Sequence, residues 1–139
     1  MSEYVCGLVF SEDRRRVVLI KKTRGPANVV GRWNGVGGRV EPDEMPVVAM
    51  AREFMEETGV ATSFSLWRNF MTLTGRDWIV YFFSCFDNAA MAGARTAEEE
   101  IVSTHMLRCL PDALVSNLRW IIPMALESTV DTTYAVNEA

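Results

Sequence analysis

Residues 38–60 read Gly38-Arg39-Val40-Glu41-Pro42-Asp43-Glu44-Met45-Pro46-Val47-Val48-Ala49-Met50-Ala51-Arg52-Glu53-Phe54-Met55-Glu56-Glu57-Thr58-Gly59-Val60, and their pattern decides the fold. Glu53, Glu56 and Glu57 stand three and four residues apart, which on a helix places all three on one face. Like charges at that spacing destabilise a helix by about 0.2–0.5 kcal/mol per pair unless a cation sits on them. Hard carboxylate oxygens suit Mg²⁺ or Mn²⁺. Pro46 fits the first helical position, where a missing N–H costs nothing, and Gly59 fits a left-handed C-terminal residue. The predicted helix runs to about Thr58. Its apolar stripe is Val47, Met50, Ala51 and Phe54, flanked by Met55. Met45 is a poor N-cap, so Asp43 and Glu44 are expected to serve that end through the helix dipole.

Working outward, residues 4–10 and 17–22 read as two strands joined in a hairpin across a charged turn. Residues 24–32, with Gly25, Pro26, Asn28 and Gly31, have loop chemistry. Residues 33–40 are glycine-dense around two valines, which fits a short strand whose backbone passes close to something else. Beyond the helix, residues 64–74 and 78–86 read as strands flanking a turn, 87–96 as a surface loop and 101–107 as another strand. Pro111-Asp112 is expected to start a second helix running past Asn117 and Trp120, with Pro123 bending or dividing it. Residues 128–139 read as weakly structured.

The 139 residues fit one domain spanning 1–139, with 49% apolar and 23% charged residues. A net charge of −4 excludes a nucleic-acid binder working through a basic surface, so no extended nucleic acid is expected. Small nucleotides remain allowed, because a metal and a few basic side chains can meet their charge locally. Cys6, Cys85 and Cys109 form no paired motif, which implies free thiols in a reducing compartment. No secretory signal is visible, and the apolar run at residues 78–83 is too short for a membrane span. A cytoplasmic protein is expected, and a homodimer is compatible with this composition.

Chance alone fills the seven fixed positions of residues 38–60 with a probability on the order of one in a million, so an ordinary amphipathic helix is a poor account of them. In every defining position the stretch resembles the Nudix box: glycine, five residues, Glu, seven residues, then Arg-Glu-apolar-any-Glu-Glu-any-Gly-apolar. The resemblance implies an α/β fold with a mixed β-sheet sandwiched between α-helices (α/β/α). It also implies Mg²⁺- or Mn²⁺-dependent hydrolysis of a nucleoside diphosphate linked to another group. Carried over by position, Glu53, Glu56 and Glu57 resemble the metal ligands, one of them also helping to deprotonate water. Arg52 resembles the arginine that orients them, and Gly38 the loop position that helps hold the site. Nudix enzymes often add a late carboxylate. Glu99 and Glu100, ahead of Glu98, are its candidates here, against the plainer reading of a solvated charge run.

Substrate selectivity must come from outside the box. Gly31-Arg32-Trp33-Asn34-Gly35, then Val36, Gly37 and Gly38, resembles the MutT-like enzymes that cleave purine nucleoside triphosphates, including oxidised ones. An asparagine carries both donor and acceptor, so Asn34 can read a purine edge, or else merely fix its loop. Asn117 and Trp120 resemble the late segment that closes the base pocket. This chain departs from that pattern: Asn117 stands where an acid is expected, and the Trp-to-Pro spacing is one residue longer. Lys21, Lys22, Arg24 and Arg32 flank the loop, and one or two are expected to clamp phosphate oxygens. His105 lies apart from the box and has no evident catalytic partner. Thr74, Gly75 and Arg76 stand where many ADP-ribose enzymes carry a proline and dinucleoside polyphosphate enzymes a tyrosine. The expected reaction is therefore hydrolysis of a (deoxy)nucleoside triphosphate to monophosphate and pyrophosphate. Nucleotide sugars, or a non-catalytic nucleotide-binding module, are the alternatives.

Overall fold

Strands that alternate two apolar faces need cover on both sides, and the first two strands do so. In the computed structural model, which describes residues 1–128 and 133–137, β1 (Ser2–Phe10) turns Val5 and Val9 to one face and Cys6, Leu8 and Phe10 to the other. β2 (Arg16–Lys21) divides Val18 and Ile20 from Val17 and Leu19 in the same way. The other strands are β3 (Trp33–Asn34), β4 (Val36–Arg39), β5 (Arg68–Thr74), β6 (Trp78–Phe86), β7 (Ile101–Met106) and β8 (Tyr134–Asn137). Among the described residues they form one mixed sheet in the order β3-β2-β1-β6-β5-β8, with β4 also on β1 and β7 also on β2. β1 runs parallel to β6 and β5 parallel to β8, while the other pairs are antiparallel.

Helices cover both faces, as expected. α1 (Pro46–Thr58) packs Met50 and Phe54 onto the face bearing Val5 and Val9, joined by Ala90 and Met91 of α2 (Asn88–Gly93). α3 (Leu118–Glu127) packs Leu118, Ile121 and Ile122 against Leu8, Phe10 and Phe70 on the opposite face. Close approach of α1 to β1 depends on Gly7, where an added Cβ would sit 2.7–2.8 Å from Met50 and Trp67 side-chain atoms. Each fully buried large apolar side chain contributes about 1.5–3 kcal/mol.

α1 has the expected limits, with Pro46 first, no side-chain cap from Met45, and Gly59 at φ 80° closing it. Met55, however, is 55% exposed and lies outside the apolar stripe. Four further expectations need correction. Residues 64–66 form a single 3₁₀ turn, capped by Ser63 accepting from the Ser65 N–H, so β5 starts only at Arg68. The 87–96 segment contains α2, whose Ala90 N–H donates to the Asp87 carboxylate at 2.8 Å. The second helix starts at Leu118, well after Pro111-Asp112. Trp33 N–H donates to Ala113 C=O at 2.7 Å and Val115 N–H to Trp33 C=O at 2.8 Å, so this backbone extends the sheet side and cannot coil. α3 then runs through Pro123 undivided. Finally, residues 134–137 form β8 beside β5, where a weakly structured tail was expected. Residues 129–132 and 138–139 lie outside the described residues.

Candidate active site

Two glycines of β4 bring the sheet and α1 together. At Gly38 an added Cβ would fall 2.5 Å from the Glu53 carboxylate, so no larger residue leaves room for that acid. At Gly37 an added Cβ would collide with the Val5 carbonyl of the neighbouring strand. Neither needs a special φ. Both are small because something else occupies the space.

Arg52 organises the charged edge of α1. Its Nε and Nη2 donate to the two oxygens of Glu44 at 2.8 and 2.9 Å, a bidentate fork. Nη2 also donates to Arg39 C=O at 3.0 Å, and Nη1 to Glu53 Oε1 at 3.0 Å and Glu56 Oε2 at 3.3 Å. The Glu44 carboxylate, followed by Glu53, pushes the guanidinium pKa up, and Arg52 in turn holds Glu44 below the usual carboxylate range. Glu44 therefore serves as the anchor of Arg52 and accepts from Glu41 N–H at 3.0 Å, a more specific role than the dipole partner expected.

The three carboxylates on this edge differ. Glu56 is 46% exposed, whereas Glu53 is largely buried under Gly38 and Arg52. Burial raises the pKa of Glu53, offset by Arg52 and reinforced by the charge of Glu56. Glu57 is 9% exposed, and its Oε2 is buried without a hydrogen-bond partner. Burial pushes its pKa up to about 7, with Glu53, Glu100 and Glu98 adding to the rise and Lys22 opposing it. A buried, unpaired carboxylate oxygen costs about 1–3 kcal/mol or more, and an oxygen-seeking cation removes that cost. The donor set thus fits a divalent ion. Among the described residues, no three His, Cys, Asp or Glu side chains are gathered closely enough to hold an ion together.

Beside this edge lies a cavity of about 230 Å³, lined by residues from β1, β3, β4 and β6, by Lys22 just after β2, and by the segment before α3. Gly38 belongs to both places. Asn34, Gly37 and Asn117, all singled out in the sequence, line the cavity. Asn34 Oδ1 accepts from its neighbour's Gly35 N–H at 2.8 Å and from the Cys6 thiol at 3.8 Å. The carboxamide oxygen is thereby engaged by the protein. Asn117 caps α3 by position but makes no side-chain cap bond.

Trp120 is 38% exposed on α3 and is neither core nor part of the cavity lining. Arg24 also lies outside the lining and forms an exposed ion pair with Glu99. Glu100 Oε2 accepts from Thr23 N–H at 2.6 Å, and its charge, like that of Glu98, reaches Glu57. The structure therefore brings Glu98 and Glu100 electrostatically to the α1 edge and ties Glu99 elsewhere. His105 packs edge-on against Trp33 at 4.6 Å, and burial lowers its pKa.

Sequence reasoning passed over Tyr4, Cys6, Val80 and Phe82, and left Lys22 as one cation among four. Lys22 lines the cavity and also acts on Glu53 and Glu57. Tyr4 pairs in register with Val80 and Cys6 with Phe82 across β1 and β6, so one strand pairing creates that wall. Period-two alternation marks Tyr4 and Cys6 as one face, but only the pairing shows that the face borders a cavity.

The NUDIX domain family model matches residues 2–126, and the chain belongs to that family. Solved structures agree on the fold. A MutT NUDIX hydrolase from Burkholderia pseudomallei is 21% identical with a TM-score of 0.73, the match covering 88% of this chain and 96% of that one. The NUDIX domain of Shewanella oneidensis NrtR, solved with ADP ribose, is 17% identical with a TM-score of 0.72, covering 90% and 86%. A MutT/nudix family protein from Enterococcus faecalis is 19% identical with a TM-score of 0.64. That match covers 76% of this chain but spans only 43% of the Enterococcus chain.

Proposed function

We propose that residues 1–139 act as a single catalytic domain hydrolysing a nucleoside diphosphate linkage with Mg²⁺ or Mn²⁺. The favoured substrate is a (deoxy)nucleoside triphosphate with a purine or modified base. The observation that carries this reading is the contact at Gly38. One residue lines the cavity and lies against Glu53, so a nucleotide with its base in the cavity delivers its phosphates to the carboxylate edge.

Glu53, Glu56 and Glu57, with the backbone at Gly38, are the residues to hold the ion. Such an ion neutralises phosphate charge and lowers the pKa of water. Arg52 fixes Glu53 and Glu56 in place through its anchor on Glu44. Lys22, between cavity and carboxylates, is placed to meet phosphate oxygens. Water adds to one phosphorus as the bridging P–O bond breaks. A carboxylate of the cluster accepts the water proton, and monophosphate and pyrophosphate leave. Asn34 and Asn117 orient the base. Their lack of charge argues for a base read by amide hydrogen bonds, without the acids of the MutT-like pattern.

Three free cysteines agree with a reducing cytoplasm, and no described helix is long and apolar enough to cross a membrane. The Shewanella complex motivates a second reading, an ADP-ribose-type substrate with the same diphosphate chemistry. The deciding experiment is a panel of canonical and oxidised nucleoside triphosphates, nucleotide sugars and dinucleotides, assayed with Mg²⁺ and with Glu57→Gln as control. Fastest turnover of triphosphates with pyrophosphate release supports the first reading. Faster cleavage of ADP-ribose replaces it with the second, and no turnover of any member refutes both.

A further inference from the structure

Away from the carboxylate edge, a second concavity of about 430 Å³ is lined by Arg14, Arg15, Met106, Leu107 and Arg108. Its construction is specific. Arg14 stands at φ 61° in the β1–β2 turn, a left-handed conformation that few non-glycine residues adopt. Its guanidinium lies over the Phe86 ring at 4.4 Å from the centroid, and Nη1 donates to Leu126 C=O at 2.5 Å. Leu107 N–H donates to Arg15 C=O at 2.8 Å, and Arg16 pairs in register with Met106, so the turn and the end of β7 are tied together.

Three arginines thus line one hollow in a chain of net charge −4, with the Arg14 guanidinium itself seated on Phe86 and the Leu126 carbonyl. Among the described residues, no ion pair joins any of the three to a carboxylate. The nearest acid in sequence, Asp13, accepts from Ser11 Oγ at 2.6 Å and Arg15 N–H at 3.0 Å, so it is engaged by the turn itself. Asp13 offsets part of the Arg15 charge without forming an ion pair with it, and Arg108 has no carboxylate partner among the described residues, so a multiply charged anion meets charge that the chain itself does not pair. The planar fork of arginine matches phosphate oxygens bidentately.

We propose that this hollow is a second anion site, separate from the carboxylate edge, which binds a di- or polyphosphate group without a metal. It takes its charge recognition from Arg15 and Arg108, with Arg14 as the fixed wall. Met106 and Leu107 offer an apolar floor on which a nucleoside attached to the phosphates can rest.

The test is titration of the full chain in EDTA and low salt, so that metal-bridged binding at the carboxylate edge is silent. The probes are inorganic pyrophosphate and a nucleoside diphosphate, followed by calorimetry and by backbone amide NMR. Saturable pyrophosphate binding is expected, with amide shifts confined to residues 14–16 and 106–108. Arg15→Gln with Arg108→Gln should weaken it at least tenfold, while Glu57→Gln should leave it unchanged. Binding at least tenfold tighter for the nucleoside diphosphate assigns the site to nucleotides, and equal binding assigns it to free phosphate anions. The proposal is overturned if the shifts fall elsewhere, if the double variant binds as the parent does, or if chloride at matched ionic strength produces the same shifts. Because the shifts are read on the unsubstituted chain, the result does not depend on the variant's folding. It is also independent of whether the carboxylate edge hydrolyses nucleotides.

Discussion

The charged edge of α1 and the cavity beside it are built in opposite ways. The edge is local, since Arg52, Glu53, Glu56 and Glu57 lie within two turns of one helix, and only Glu44 and Gly38 come from outside it. The cavity is assembled from four strands, the residue after β2 and the segment before α3, with Tyr4, Lys22, Asn34, Phe82 and Asn117 far apart in the chain. Under the proposed function, reaction chemistry therefore tolerates little variation, because every member shares one scaffold. Base selectivity would then change residue by residue on walls that different strands supply.

Breaking the local half should have the largest effect. If the proposed function holds, Glu57→Gln removes one anionic ligand, and with it several kcal/mol of charge stabilisation through the ion, so pyrophosphate release should fall roughly a thousandfold. Melting of the metal-free variant should occur at or above the parent temperature, because an unpaired buried charge is gone. A marked fall in that temperature would show that Glu57 is a structural residue instead.

Gly38→Ala strikes both halves, since the new methyl displaces Glu53 and narrows the cavity. A stability loss of about 1–3 kcal/mol in urea unfolding is expected from overpacking, together with weaker Mg²⁺ binding. Arg52→Lys keeps the charge but loses the fork that holds Glu44, Glu53 and Glu56 together. A 10–100-fold drop in metal affinity or activity is expected, of the size seen when groups that orient metal ligands are changed.

The distributed half should respond differently. Asn34→Ala should raise KM for the favoured base by up to about tenfold, in line with about 0.5–1.5 kcal/mol for one hydrogen bond donated by its amide nitrogen, with kcat nearly unchanged. Asn117→Ala should act in the same direction. Trp120→Ala should change KM by less than about twofold, since the side chain does not line the cavity. An equal KM effect at Trp120 would erase the distinction between wall and surface.

The smallest effect concerns pH. Glu57 has its carboxyl pKa raised from 4.5 to about 7, so between these values the folded chain holds a proton that the unfolded chain has released. The Glu57 contribution to the stability of the metal-free protein should therefore be full below about pH 4.5, decline as pH rises to about 7, and level off above that. Mg²⁺ should flatten this slope by competing with the proton, which melting curves across that range will show. A metal-free slope unchanged by Glu57→Gln would remove this residue as its source.

How far the sequence could be read follows the same division. α1 was legible to its ends, because Pro46 and Gly59 act through backbone geometry that neighbours do not alter. The Arg52–Glu44 fork was not, although both residues were conspicuous, because eight residues and a loop separate them. The start of α3 was misplaced at Pro111-Asp112, since hydrogen bonds from Trp33 draw residues 113–115 toward β3. α2 was passed over although Asp87 followed by alanines is a sound capping signal. Arg24 and Trp120 were singled out by position along the chain, yet one forms an exposed pair with Glu99 and the other stands on the outer side of α3.

By itself the sequence determined the helix, the three carboxylates on one face and the two-sided strands, because helical and strand periods are properties of a few consecutive residues. Only the tertiary structure decided that β1 pairs with β6, that Glu57 keeps an unpartnered oxygen, and that Lys22 stands between cavity and carboxylates. Such relations depend on burial and on contacts between distant segments, which local pattern does not encode.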